Sequence, residues 1–101
     1  MRRIVLLCSA GVSTSLLVKE MQKEAKRLGY ECSIEFYPLS RAEEDSEATD
    51  VFLLAPQAAY ALGEMKLKYP EIPAAVIPQE MYGEADAVAV LDFAQKIVGD
   101  Y

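Results

Sequence analysis

Arg3-Ile4-Val5-Leu6-Leu7-Cys8 runs directly into Ser9-Ala10-Gly11-Val12-Ser13-Thr14-Ser15. The apolar run is continuous, the pattern of a strand buried on both faces of a parallel sheet. Small residues follow it, and a periodic, charged helical pattern begins near Leu16. This layout predicts a thiol at the carboxyl end of a buried strand, just before a small-residue loop that opens a helix. Loop amides and a helix N-terminus together make an anion site. A cysteine there is expected to have a depressed pKa and to act as a thiolate. Nucleophilic attack on phosphorus is the chemistry this suggests.

Further along the chain, apolar β-rich segments recur at about 32–37, 51–55 and 74–77. Helical patterns separate them. From Thr14 to Leu28 the residues Leu17, Met21, Ala25 and Leu28 form one apolar stripe, and Gly29 stands where a C-terminal glycine belongs. A second helix is expected from about Gln57 to Tyr69, ended by Pro70. A third runs from about Ala85 to Val98, with Val88, Leu91, Ala94 or Gln95, and Val98 at helical spacing and Gly99 closing it. The acidic stretch 40–50 reads as a loop or short helix. The fold expected is α/β: a small doubly wound sheet of four parallel strands, order 2-1-3-4, with helices on both faces. Ligands of such sheets bind at the carboxyl ends of the strands, near the reversal of strand order, where this order places Cys8.

Composition narrows the function. The 101 residues read as one domain, 1–101, with 52% hydrophobic and 26% charged content. The net charge is −6, and Glu43, Glu44, Asp45, Glu47 and Asp50 cluster in one stretch. An acidic chain without a basic run is a poor nucleic-acid ligand. The apolar run before Cys8 is shorter than the roughly 7–15 residues of a signal peptide core. Nothing approaches the roughly 20 apolar residues of a membrane span, so a cytoplasmic location and no membrane insertion are expected. The two cysteines, Cys8 and Cys32, lack redox or metal spacing, and histidine is absent. Imidazole-based acid–base catalysis and His-ligated metals are thereby excluded on this chain. No metal and no cofactor are expected, and a monomer is the default. A covalently held phosphoryl group would fall to Cys8.

At Cys8 two readings of the spacing stay open. In one, residues 9–15 hold an anion: the amides from Ala10 to Ser15 approach it, Gly11 permits an unusual dihedral, and Ser9, Ser13, Thr14 and Ser15 add hydroxyls. In the other, Cys8 is a buried strand-end residue before an ordinary turn. Cysteine phosphatases of the low-molecular-weight type share the strand–loop–helix layout, with an arginine six residues after the cysteine. Thr14 occupies that position here. Without the arginine, transition-state stabilisation for hydrolysis is weakened, and a loop that holds a phosphoryl group and hands it on is favoured.

The stretch Cys8-Ser9-Ala10-Gly11-Val12-Ser13-Thr14-Ser15-Leu16-Leu17 resembles the phosphocysteine loop of enzyme IIB of the lactose/cellobiose/chitobiose type, from the bacterial phosphoenolpyruvate-dependent sugar phosphotransferase system. The resemblance continues through Asp50-Val51-Phe52-Leu53-Leu54-Ala55-Pro56-Gln57-Ala58-Ala59-Tyr60 to Tyr82-Gly83. Ala55 stands where the family usually has glycine. The resemblance implies that Cys8 accepts a phosphoryl group from a histidine of enzyme IIA and holds it in the loop Ser9, Ala10, Gly11, Val12, Ser13, Thr14, Ser15. It further implies transfer to a disaccharide of the cellobiose, chitobiose or lactose type bound by membrane enzyme IIC.

Pro56, Gln57, Tyr60 and Tyr82 follow strands and are candidates for the rim of the Cys8 crevice. Helix packing and turn chemistry are the plainer roles for them. Cys32, at the start of strand two, is expected at the opposite end of the sheet. Two rivals remain at this point: a low-molecular-weight-type phosphatase or arsenate reductase, and a sugar-responsive regulatory module without covalent chemistry.

Overall fold

A computed structural model describes residues 2–8, 12–41 and 48–99, with side chains at all of these except 12 and 13. The anticipated loop residues Ser9, Ala10 and Gly11, and most of the acidic stretch, lie outside the described residues.

Strand β1 (Arg2–Cys8) is the centre of the molecule. It pairs in parallel with β2 (Cys32–Pro38) on one side and β3 (Val51–Leu54) on the other. Strand β4 (Ala74–Val76) adds to β3, so the order is β2-β1-β3-β4. This is the order expected from the sequence. Adjacent parallel strands need crossover connections, and the reversal of direction after β2 sends the helices to both faces.

The alternation of side chains along β1 divides the core in two. Ile4, Leu6 and Cys8 join Val51, Leu53 and Ala55 beneath helices α1 (Val12–Leu28) and α4 (Ala87–Val98). Val5 and Leu7 face the other way with Phe52 and Leu54, beneath a 3-10 helix (Pro56–Ala61) and α2 (Leu62–Lys68). Both faces of β1 are therefore dry, which is why its sequence shows no alternation. A further helix, α3 (Gln79–Gly83), is a single turn between β4 and α4.

The helix ends follow their local chemistry. Gly29 has φ of 70°, its amide reaches the Lys26 carbonyl and the Tyr30 amide reaches that of Ala25. These two bonds form a Schellman closure, with Tyr30 packed back on the core. Asp86 caps α4 by accepting from the Ala89 amide at 3.1 Å, and Gly99 closes it with φ of 80°.

Several expectations are corrected. The helix anticipated over 57–69 opens as 3-10 turns, because a three-residue repeat lets Ala58 and Ala61 both face the sheet. Leu28 leaves the α1 stripe and is 50% exposed, since the chain is already turning at the cap, while Val18 takes a buried place. In α4 the inward residues are Val90, Leu91 and Ala94, and Val88 faces solvent. Helix α3 was not anticipated: one turn is too short to display a period. The strand limits shift by only one residue. Ala55 and Ile77 lie just past their strands yet still donate to the Leu7 and Leu54 carbonyls.

At the amino edge of the sheet a polar cluster replaces the core. Arg3 Nε donates to Glu35 Oε2 at 2.7 Å, and the Tyr37 hydroxyl donates to Glu35 Oε1 at 2.8 Å. Asp50 sits at this same edge, accepting the Arg3 amide at 2.8 Å and pairing with Arg2 at 3.5 Å. The Arg3 hydrogen bond holds the Glu35 carboxyl below the usual carboxylate range, against the opposing pull of partial burial. A depressed folded value means this stabilisation is present above the unfolded glutamate value, about 4.3, and is lost as the pH falls through the folded one. Glu35→Gln therefore removes a stability difference at neutral pH that has vanished in acid. Because Glu35 is partly exposed, solvent screening keeps the difference within about 1 kcal/mol. Urea unfolding of both proteins across pH 2–7, a range set by about two units either side of the carboxylate value, measures it. A gap that stays constant with pH would refute the assignment.

Candidate active site

Cys8 ends β1 opposite Pro38 of β2, at the carboxyl edge of the sheet. Its side chain points to the α1/α4 face and shares a buried cluster with Ala55, Ile77 and Tyr82. It is 2% exposed. The sulfur lies 4.0 Å from the Tyr37 carbonyl, to which the thiol donates weakly. Helix α1 begins at Val12, only four residues on, so the amides of its first turn belong to the same edge. Those amides and the positive end of the helix dipole are an environment for an anion.

The expected site residues separate into distinct settings. Thr14 is completely buried, and its Oγ1 lies 2.6 Å from the Tyr82 hydroxyl. Tyr82, on α3, is itself buried at 8% exposure. Ser15 is half-buried, and the next residue, Leu16, is 57% exposed. Pro56 is half-buried and Gln57 exposed, both on the 3-10 helix that follows β3. Tyr60 is 77% exposed and lines a groove of about 300 Å³ with Leu39, Ala61, Glu64, Met65 and Tyr69. That groove belongs to the α2 face, whereas the Cys8 side chain belongs to the α1/α4 face.

Two features had no signal in the sequence. The Tyr37 carbonyl meets Cys8 only because β1 and β2 pair in this register. The Thr14–Tyr82 bond joins residues 68 apart, which no local pattern relates. Ala55, the departure from the family's glycine, has φ of −60° and ψ of 151°. Any residue adopts that conformation, so alanine fits without backbone strain.

Cys32 pairs with Arg2 at the amino edge. Six residue steps along β1 separate the two ends, about 20 Å at ~3.3 Å per residue, so the cysteines cannot bridge. Burial pushes the Cys32 thiol up, away from the reactive thiolate. Among the described residues no group of His, Cys, Asp and Glu is arranged to hold a metal ion.

Fold and site together define a class: small parallel α/β proteins that present a thiol between the end of the central strand and the N-terminus of the first helix. Comparison with known proteins narrows this class. Residues 3–93 match the family described as PTS system, lactose/cellobiose specific IIB subunit. The oligo-beta-mannoside-specific EIIB component of Bacillus subtilis (strain 168) is 36% identical, with 85% of each chain covered. The galactose-specific EIIB component of Lactococcus lactis subsp. cremoris (strain MG1363) is 38% identical, with 94% of each covered. The solution structure of a cellobiose-specific phosphotransferase IIB component from Borrelia burgdorferi superposes with a TM-score of 0.81 at 32% identity, covering 98% of this chain and 93% of that one. The chain belongs to the lactose/cellobiose-specific IIB family of the sugar phosphotransferase system.

Proposed function

We propose that this IIB protein is a phosphoryl carrier in which Cys8 is the group that is loaded and unloaded. The thiol releases its proton to solvent and the resulting thiolate attacks the phosphorus of a phosphohistidine on enzyme IIA; the S–P bond forms as the P–N bond breaks, and the freed imidazole takes up a proton from solvent. In the second step a hydroxyl of a sugar bound by the membrane enzyme IIC attacks phosphorus. The O–P bond forms, the S–P bond breaks, the thiolate is regenerated and the hydroxyl proton leaves. Both transfers are in-line, with the rate coming mainly from positioning and charge stabilisation.

The observation that carries this reading is the placement of Cys8 at the carboxyl end of the central strand, four residues ahead of the α1 N-terminus. Hydrogen-bond donors from residues 9–15 hold the phosphoryl oxygens. Carriage is favoured over hydrolysis because Thr14, which stands where a phosphatase has its clamping arginine, is uncharged and turned inward onto Tyr82. The exposed Leu16, and Gln57 just beyond β3, border the surface that meets IIA and IIC in turn. A transient encounter of this kind suits a small interface.

Residues 1–101 act as one cytoplasmic, monomeric domain in this reading. None of the helices among the described residues is long and apolar enough to cross a membrane. The sugar is a disaccharide of the cellobiose, chitobiose or lactose type, selected by IIC.

The test is intact-mass analysis after incubation with phosphoenolpyruvate, the two general phosphotransferase proteins and a cognate IIA. One phosphoryl adduct is expected, mapped to Cys8 and discharged when IIC and sugar are added. No adduct, from a donor that loads another IIB protein, would overturn the proposal.

A further inference from the structure

The reading of Cys8 as the loaded group leaves the Thr14–Tyr82 pair without a role. The two hydroxyl oxygens are 2.6 Å apart and both residues are buried. An apolar pair of the same shape would fill this space without the desolvation that two hydroxyls require. What the bond adds is direction. Thr14 lies in the first turn of α1, whose amides face the Cys8 end of the sheet. Tyr82 lies on α3, beyond β4, two strands away from β1. The pair therefore ties the helix that follows β1 to the turn that follows β4, across the strand between them.

Tyr82 is itself held on both sides. Its amide donates to the Pro78 carbonyl at 3.1 Å, and its carbonyl accepts from the Ala85 amide at 3.1 Å. The Asp86 amide closes the turn by donating to the Met81 carbonyl at 2.9 Å. Ala85 adopts φ of 50°, a left-handed conformation that an alanine keeps only when its surroundings dictate it. The turn that carries Tyr82 is thus fixed independently of Thr14. It is an anchor, and the first turn of α1 is what it holds.

We propose that Tyr82 is a positioning residue for phosphoryl transfer. Acting through the Thr14 hydroxyl, it sets the orientation of the α1 first-turn amides around a phosphoryl group on Cys8. It does so without touching that group, and the deepening rests on Cys8 being the loaded residue. Interactions at the phosphoryl oxygens depend steeply on geometry, and a misplacement of about 1 Å can cost on the order of 100-fold in rate.

The experiment compares wild type, Tyr82→Phe, Thr14→Val, Thr14→Ser and the Tyr82→Phe/Thr14→Val double variant. Each is loaded from phospho-IIA and followed by rapid quench, with the ³¹P spectrum of the phosphocysteine recorded. Tyr82→Phe and Thr14→Val should each slow loading by about 10- to 100-fold and move the ³¹P resonance in the same direction. The double variant should be no slower than the slower single, because both remove one bond. Thr14→Ser, which keeps the hydroxyl, should restore most of the rate and the wild-type resonance. Thermal melts fix a temperature at which every variant is folded, and the Thr14→Ser rescue separates positioning from loss of packing.

Wild-type rates and an unshifted resonance in Tyr82→Phe would overturn the proposal, as would single effects that multiply in the double variant. An unloaded wild type would instead refute the carrier reading on which it rests.

Discussion

Cys8→Ser is expected to abolish phosphoryl loading, with the rate of adduct formation falling by more than about 1,000-fold, while the protein stays folded. The change is a single atom at a 2%-exposed position, so packing is nearly preserved. The serine hydroxyl inherits the contact to the Tyr37 carbonyl made by the thiol. Its effect on stability stays within about 1 kcal/mol, the scale of one such hydrogen bond. Reactivity does not survive the exchange. A hydroxyl is a weak nucleophile unless a general base takes its proton, and the chain contains no histidine to do so. Rapid-quench loading from phospho-IIA gives the rate, and a thermal melt gives the stability. Loading of the serine variant at a rate near that of wild type would remove Cys8 from the mechanism.

Leu6→Ala lowers stability by about 3 kcal/mol, within the 2–5 kcal/mol range for buried leucine truncations. Leu6 is wholly buried at the middle of β1, beside Phe36 of β2 and Leu53 of β3. Strands bind it laterally and α1 and α4 cover it, so little can collapse into the space left behind. For a domain of this size the midpoint of thermal unfolding falls by about 12–24 °C, at roughly 4–8 °C per kcal/mol. Leu67→Ala is the control: that leucine is 84% exposed on α2, and its truncation shifts stability by no more than about 0.5 kcal/mol. Urea and thermal unfolding of the two variants decide the matter. Equal losses at Leu6 and Leu67 would contradict the assignment of β1 as the centre of the core.

The two substitutions lie two residues apart on one strand and act on different properties. Leu6 anchors β1 between two strands and two helices. Cys8 is the point where that strand emerges at the sheet edge. The rigidity of the first gives the second a fixed place relative to the α1 amides, which is the condition for transfer by positioning.

What was legible in the sequence follows from local or periodic chemistry. A doubly buried strand is a continuous apolar run, so β1 could be recognised from Ile4 to Cys8 and placed centrally. The stripe Leu17, Met21, Ala25 repeats at helical spacing, and Gly29 and Gly99 mark positive-φ closures that both occur. The order of Cys8, a small-residue stretch and a helical pattern placed the thiol at the strand end ahead of α1, where it is found. The strand order was expected from the general rules for doubly wound parallel sheets, and it depends on how whole units pack.

Tertiary structure alone decided the rest, because it concerns contacts between segments whose sequences carry no sign of one another. The outward turn of Leu28 and Val88 depends on where each helix lies against the sheet, which a helical period does not specify. The 3-10 opening of the second helix arises where Ala58 and Ala61 meet β1 and β3. The meeting of the Cys8 thiol with the Tyr37 carbonyl depends on parallel register, and that of Thr14 with Tyr82 on α1 and α3 converging across β3, the strand between β1 and β4. The proposed nucleophile is thus read from the residues around position 8, whereas its surroundings are assembled by packing, since direction and distance between remote hydroxyls exist only once the sheet has brought them together.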